Sequence, residues 1–350
     1  MFVAATDPYY LGLTAIISAG MQIAGFTIAY TLQIDTITDF WSALTTVFML
    51  LITLNFGAAY TARNIIASIF GMLWAVRLGG FQLFRMLKMG GDSRFDEMRS
   101  KPLNFAGFWF FQFLWTWVIT SPINVLNSPA VTRPYDGYGG TLGPDFGTAK
   151  DIVGIIFWVW GFFWEASADV TKYRFKSIGK KPPKGAIIDV GPWRFSRRAN
   201  YFGEIIHWLG IYLLCISPAS DSSISQRGHD ALLATVISPL FTFALLMFMS
   251  GVPLSEKPTQ QKYFLMSHSG ESLPPYGKQQ TQEDPWSRYL AFRDRTSLLF
   301  PIPTFLYKPL PKFVKTWLLL DLPLYQFDEK KDGPKAIEEH ESKQGNDRRA

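Results

Sequence analysis

The chain has 350 residues, 48% of them hydrophobic and 16% aromatic, with a formal net charge of +6 and a mean hydropathy of +0.09. That mean averages long uncharged windows with heavily charged connectors, which excludes an ordinary soluble domain and points to a membrane protein. The single Cys215 excludes an intrachain disulfide, no nucleic-acid motif accompanies the basic charge, and four histidines without H-E-x-x-H spacing give no expected metal site.

Seven apolar windows follow in chain order, near residues 10–30, 40–60, 64–84, 104–126, 151–168, 202–217 and 231–250. The expected fold is therefore all-α: a polytopic integral membrane helical bundle with about seven transmembrane helices. No basic stretch precedes the first window, so it is expected to remain as a span. Asp39 and Asp151 are placed to cap helix starts, and Ser121-Pro122 and Ser217-Pro218 close two runs. The window at 202–217 is short of the roughly 20 residues of a perpendicular span, so its polar N-terminal turn is expected to extend it. The loop "DGYGGTLG" lacks both the last glycine and the βαβ surroundings of a dinucleotide site, and reads as a flexible loop.

Basic residues crowd the connector after the third window (Lys88, Arg94, Arg99, Lys101) and the one after the fifth (Lys172, Arg174, Lys176, Lys180, Lys181, Lys184, Arg194, Arg197, Arg198). The positive-inside rule puts both in the cytosol, and alternation then puts the C-terminal region there and the 127–150 loop on the other side. Residues 1–328 read as a single domain. The mixed-charge segment 329–350 reads as a disordered tail.

Two polar stripes interrupt the apolar pattern. In "GPWRFSRRANYFGEIIHWLG", Asn200, Glu204, His207 and Trp208 stand at helical offsets 0, 4, 7 and 8, with Tyr201 beside them. A headgroup-level anchor, in which Glu204 pairs with Arg197 or Arg198, leaves Asn200 unexplained. In "FFWEASADVTKYRFK", Glu165, Asp169, Lys172 and Lys176 stand at offsets 0, 4, 7 and 11. Surface pairing of these acids and bases is worth only about 0.2–0.5 kcal/mol per pair, and Glu165 falls inside the apolar run. Together the stripes suggest a cytosol-facing cavity for a polar, anionic cofactor.

These residues carry a resemblance. "DSRFDEMR" (Asp92 to Arg99), "EASAD" (Glu165 to Asp169), Ser196 to Glu204 against an S-R-H-P-N-Y-F-G-E pattern, "SGVPLSEK" (Ser250 to Lys257) and Thr296-Ser297 resemble, in order, the steroid 5α-reductase-like branch of a superfamily. That superfamily also holds sterol reductases and isoprenylcysteine carboxyl methyltransferases, and the similarity spans roughly residues 35–305. The resemblance implies a seven-helix fold with NADPH in a cytosolic cavity and a lipid-soluble substrate entering from the membrane. It implies cofactor binding by Glu165, Asp169, Lys176, Asn200 and Glu204, joined by Glu256 of the "SGVPLSEK" element, and likens Arg77 and Trp74 to an arginine and a substrate-contacting tyrosine. The chain departs from the pattern at Arg198-Ala199, where His-Pro is usual, and at Phe292 and Trp74, where tyrosines are usual.

The expected function is NADPH-dependent reduction of a carbon–carbon double bond in a steroid, sterol or fatty-acyl type substrate, in a membrane of endoplasmic-reticulum type. Arg77 is a candidate electrostatic stabiliser, Tyr201 and His207 are candidate proton donors, and Trp74 is a substrate contact. Lys172, Lys176, Arg197 and Arg198 are expected at the cavity mouth, where they would select the 2′-phosphate of NADPH. An S-adenosylmethionine-dependent methyltransferase and a non-catalytic lipid-binding protein are the alternatives.

Overall fold

The computed structural model describes residues 6–89, 101–132, 145–177, 185–220, 224–268 and 284–347. All seven apolar windows are helical. We label them α1 (Leu11–Leu32), α2 (Thr38–Gly57), α3 (Ala62–Met89), α4 (Pro102–Ile119), α5 (Ala149–Ser177), α6 (Ala199–Cys215) and α7 (Gln226–Met249). Five of them, α1, α2, α3, α5 and α7, are long and apolar enough to cross a membrane, and the chain is a polytopic helical membrane protein. The shorter α4 and α6 have 18 and 17 residues. Among the described residues there is no strand, only an isolated bridge between Ser196 and Ser297. The "DSRFDEMR" element, the "DGYGGTLG" loop and Lys180, Lys181 and Lys184 lie outside the described residues.

Where the sequence suggests one domain over 1–328, the chain divides into two compact units. The first holds residues 1–162 and 205–242, the second residues 163–204 and 243–350.

The first unit is built on an inverted hydrophobic pattern. Helix α1 turns Ile16 and Ile23 outward and buries Thr14, Ser18, Gln22, Gly25 and Ala29. Lipid is as good a solvent as protein for the large side chains, so small and polar residues face the neighbouring helices, where close approach and hydrogen bonds hold the bundle. Ser18 Oγ meets Thr116 Oγ1 at 2.7 Å, Gln22 Nε2 donates to Thr45 Oγ1 at 3.2 Å, and the Trp41 indole donates to the Met21 carbonyl at 2.6 Å. A Cβ at Gly25 would stand 2.4 Å from the Trp109 ring. In the same way Gly210 lets α6 pass within van der Waals reach of α5, since a Cβ there would lie 2.6 Å from the Gly154 carbonyl.

One end of this unit is sealed by polar contacts. Arg63, at the start of α3, donates to both carboxylate oxygens of Asp151 at 2.8 Å. Asp151 also closes a capping box at the start of α5: it accepts from the Thr148 amide at 3.0 Å, and Thr148 Oγ1 accepts from the Asp151 amide at 3.2 Å. Thr148 therefore holds the cap position, and Asp151, expected there, acts from the first turn instead. Asp39 lies in the first turn of α2, whose cap position is Ile37. Asn64 Nδ2 donates to the Leu126 carbonyl, Thr148 Oγ1 meets Ser217 Oγ, and the Trp117 indole reaches the Leu11 carbonyl. The starts of α1, α3 and α5 thus meet the ends of α4 and α6, as alternating helix directions require.

The second unit has an aromatic core of Phe264, Trp286, Tyr289, Phe292 and Phe327, carried largely by α8 (Glu256–His268) and α9 (Pro285–Arg295). The expected disordered tail is corrected here: Gly333–Asp347 is a helix, α10. The charges just before it have specific partners. Glu329 accepts from the Trp286 indole at 2.6 Å, Asp332 pairs with Lys257 at 2.9 Å, and Ala336 is buried in the aromatic core. Mixed charge concealed this docking, because an ion pair between distant positions leaves no local pattern.

Candidate functional site

The stretch before α6 is fixed by backbone pairing. The amide of Arg197 donates to the Ser297 carbonyl at 2.8 Å and that of Arg198 to Leu298 at 2.9 Å, while Ser196 Oγ donates to Leu299 at 2.8 Å. The "SRRAN" and "TS" elements therefore run side by side. This pairing turns the Arg197 guanidinium inward, where it forms ion pairs with Glu256 and, at 2.6 Å, with Asp321, and donates to the Thr296 carbonyl at 3.2 Å. Arg198 reaches the other Glu256 oxygen at 2.8 Å, and the Tyr289 hydroxyl donates to Glu256 at 3.1 Å.

Arg197, Arg198, Glu256 and Asp321 are all buried, so their charges survive only as a mutually compensated set. Burial by itself raises the Glu256 carboxyl, but Arg197, Arg198 and the Tyr289 hydroxyl outweigh it and hold the group below the usual carboxylate range. For Arg197, burial works against the charge, but Glu256 and Asp321 outweigh it and hold the pKa above the ordinary arginine value. Burial and the Glu256 charge push Tyr289 up, so it remains a donor.

Arg197 is thereby corrected. It is buried rather than at a cavity mouth, and a phosphate would have to displace a carboxylate to reach it; Glu256 is likewise buried, against Arg197, Arg198 and Tyr289. Tyr289 and Asp321 were missed, since only the long-range fold brings them to Arg197.

Three donors in this region are left over. Arg198 Nε, Thr296 Oγ1 and Ser297 Oγ are buried and have no hydrogen-bond partner among the described residues. Unmatched buried donors mark a place for a polar group the fold does not supply. The remaining expected residues of this unit lie on two helices. Glu165 is buried, Asp169, Asn200, Tyr201 and Glu204 are half-buried, and Lys176 is exposed. The Lys172 ammonium sits 4.8 Å over the Trp193 ring, whose indole donates to the Ala168 carbonyl at 2.8 Å. Tyr201 donates to the Gly251 carbonyl at 3.4 Å.

In the first unit, Trp74 and His207 come together as expected from neither stripe alone. The Trp74 ring lies 5.9 Å from His207 and 4.8 Å, edge-on, from Trp208. The Trp74 and Trp208 indole nitrogens are buried without a hydrogen-bond partner among the described residues. The Arg77 guanidinium lies 5.7 Å over the Phe162 ring.

The model of a protein family described as of unknown function, DUF1295, matches residues 25–267, and the chain belongs to that family. No curated protein and no solved structure matches it. The matched range includes Arg197 and Glu256 and ends before Tyr289 and Asp321.

Proposed function

We propose that the chain is a membrane-embedded, NADPH-dependent reductase of a carbon–carbon double bond in a lipid-like substrate, a member of the steroid 5α-reductase-like branch, with its C-terminal region in the cytosol. The observation that carries this reading is the trio of unmatched buried donors, Arg198 Nε, Thr296 Oγ1 and Ser297 Oγ, on a segment that a compensated ion network holds still.

The residues fit the cofactor's chemistry. Arg198, Ser297 and Thr296 suit phosphate oxygens, with Lys172 and Lys176 adding positive charge. Asp169, Asn200 and Glu204 suit ribose hydroxyls and a carboxamide. When bound, NADPH supplies a hydride. Arg197, Glu256 and Asp321 act as positioning residues, because they fix the first turn of α6 from which Asn200, Tyr201 and Glu204 project. Taken within the first unit alone, the indole N–H groups of Trp74 and Trp208 are donors suited to a carbonyl oxygen, where hydrogen bonds would polarise a conjugated alkene and stabilise a developing enolate. Tyr201 in the second unit and His207 in the first are each candidate proton donors.

Purified protein in uncharged detergent tests this reading. Saturable binding of NADPH, and none of S-adenosylmethionine, is the expected result. Binding of S-adenosylmethionine alone would replace the reductase by a methyltransferase, and binding of neither would leave a non-catalytic protein.

A further inference from the structure

We propose that Pro303 to Leu320, in "PTFLYKPLPKFVKTWLLL", is a fixed membrane-surface anchor that lays its apolar side chains into a leaflet bearing anionic lipid. The stretch is too broken by Pro303, Pro309 and Pro311 to be a span. Its large side chains nevertheless face outward: Phe305 is 75% exposed, Phe313 70%, Trp317 62% and Leu318 71%. The helical turn Val314–Leu318 buries no residue at all.

This outward display is held from within. Tyr307 is buried and donates to Asp321 at 3.4 Å. Lys315 folds back over the Tyr307 ring at 4.8 Å and donates to the carbonyls of Lys308 at 3.1 Å and Asp294 at 2.9 Å. The Asp321 amide then closes onto the Lys315 carbonyl at 3.0 Å, after Leu320 takes a left-handed backbone at φ 61°. A stretch pinned at Tyr307, Lys315 and Asp321 offers its aromatic face in one arrangement.

Charge selects the occupant. Residues 301–320 contain three lysines and no acid, and with Lys315 turned inward, Lys308 and Lys312 remain exposed among the aromatics. Trp and Phe with interspersed Lys is the composition of the headgroup region: rings settle at the boundary, lysine stems lie along apolar surface, and ammonium groups meet lipid phosphates. A symmetric second copy would cover the same apolar face but bring like charges together. Because Asp321 also holds Arg197, the anchor ties the membrane surface directly to the ion network.

Nitroxide labels test the placement. Cys215 is fully buried, so labels go to Phe313→Cys and, separately, Leu318→Cys, with Lys330→Cys as the exposed control. Each protein is reconstituted into phosphatidylcholine vesicles with and without phosphatidylserine, and collision with oxygen is compared with collision with a water-soluble nickel chelate. The oxygen-to-nickel ratio at both anchor sites should exceed the control, rise further with phosphatidylserine, and lose that rise in a Lys308→Glu, Lys312→Glu background. Ratios equal to the control in both lipids would overturn the anchor. Insensitivity to phosphatidylserine and charge reversal would overturn its anionic preference, and spin–spin broadening that disappears on dilution would assign the face to a second copy.

Discussion

Arg197 and Asp321 stand 124 positions apart and form a 2.6 Å ion pair, with Glu256 closing the other side of the same guanidinium. The base of α6 is thus held by a segment beyond the range that the family model matches. Removing one member leaves a buried charge without its partner, which costs about 3–5 kcal/mol. Asp321→Asn and Glu256→Gln should each lower the apparent melting temperature in detergent markedly. A change at neither site would remove the scaffold role.

The same network sets a pH dependence. Glu256 has a folded pKa below its unfolded value, so its contribution is present above the unfolded pKa and is lost as pH falls through the depressed folded one. Tyr289 and Tyr307 have raised values, and burial pushes Tyr325 up to about 12. Their contribution is present below about pH 10 and is lost as pH rises through the folded values. A plot of apparent melting temperature against pH should be flat near neutrality and fall at both extremes. Glu256→Gln should flatten the acid limb, and Tyr325→Phe should weaken the alkaline one.

Helix contact in the first unit depends on missing side chains. Gly210→Leu has no room beside the Gly154 carbonyl and should cost at least the roughly 1–3 kcal/mol of an overpacked core. Gly80→Leu, at a position with open space around the added Cβ, should be tolerated. Yield of monodisperse protein distinguishes the two; equal yields would contradict the close approach.

Topology is testable without any cofactor. Accessibility tags at Gly139 and Lys181 should report opposite sides of the membrane, with the C-terminus on the Lys181 side. Finding all three on one side would contradict the assignment of α5 as a span.

The seven helices were legible because uncharged windows of helical length have few other solutions, and Asp151 was legible as a helix-start acid, though Thr148 three residues earlier takes the cap position. The division into two units was not, since all three boundaries fall inside helices, between Phe162 and Phe163, between Glu204 and Ile205 and between Thr242 and Phe243. Charge counting placed Arg197 and Arg198 alike at a cavity mouth, but a backbone bridge to Ser297 gives adjacent arginines different surroundings. Arg197 is fully compensated, and Arg198 keeps an unmatched Nε. Asp321 and the α10 helix were hidden for a related reason: their partners, Arg197 and the Phe264–Trp286–Phe327 core, are distant in the chain.

That difference between adjacent arginines gives the most direct measurement: titration of NADPH and NADH into wild type, Arg198→Ala and Arg197→Lys in uncharged detergent. Wild type should bind NADPH more tightly. Arg198→Ala should weaken NADPH by about 1–3 kcal/mol, the loss typical of a buried charged donor, and affect NADH less. Arg197→Lys should weaken both nucleotides equally if the protein remains folded, because it acts through the scaffold. Equal wild-type affinities for the two nucleotides, or no binding of either, would contradict an NADPH site built around Arg198.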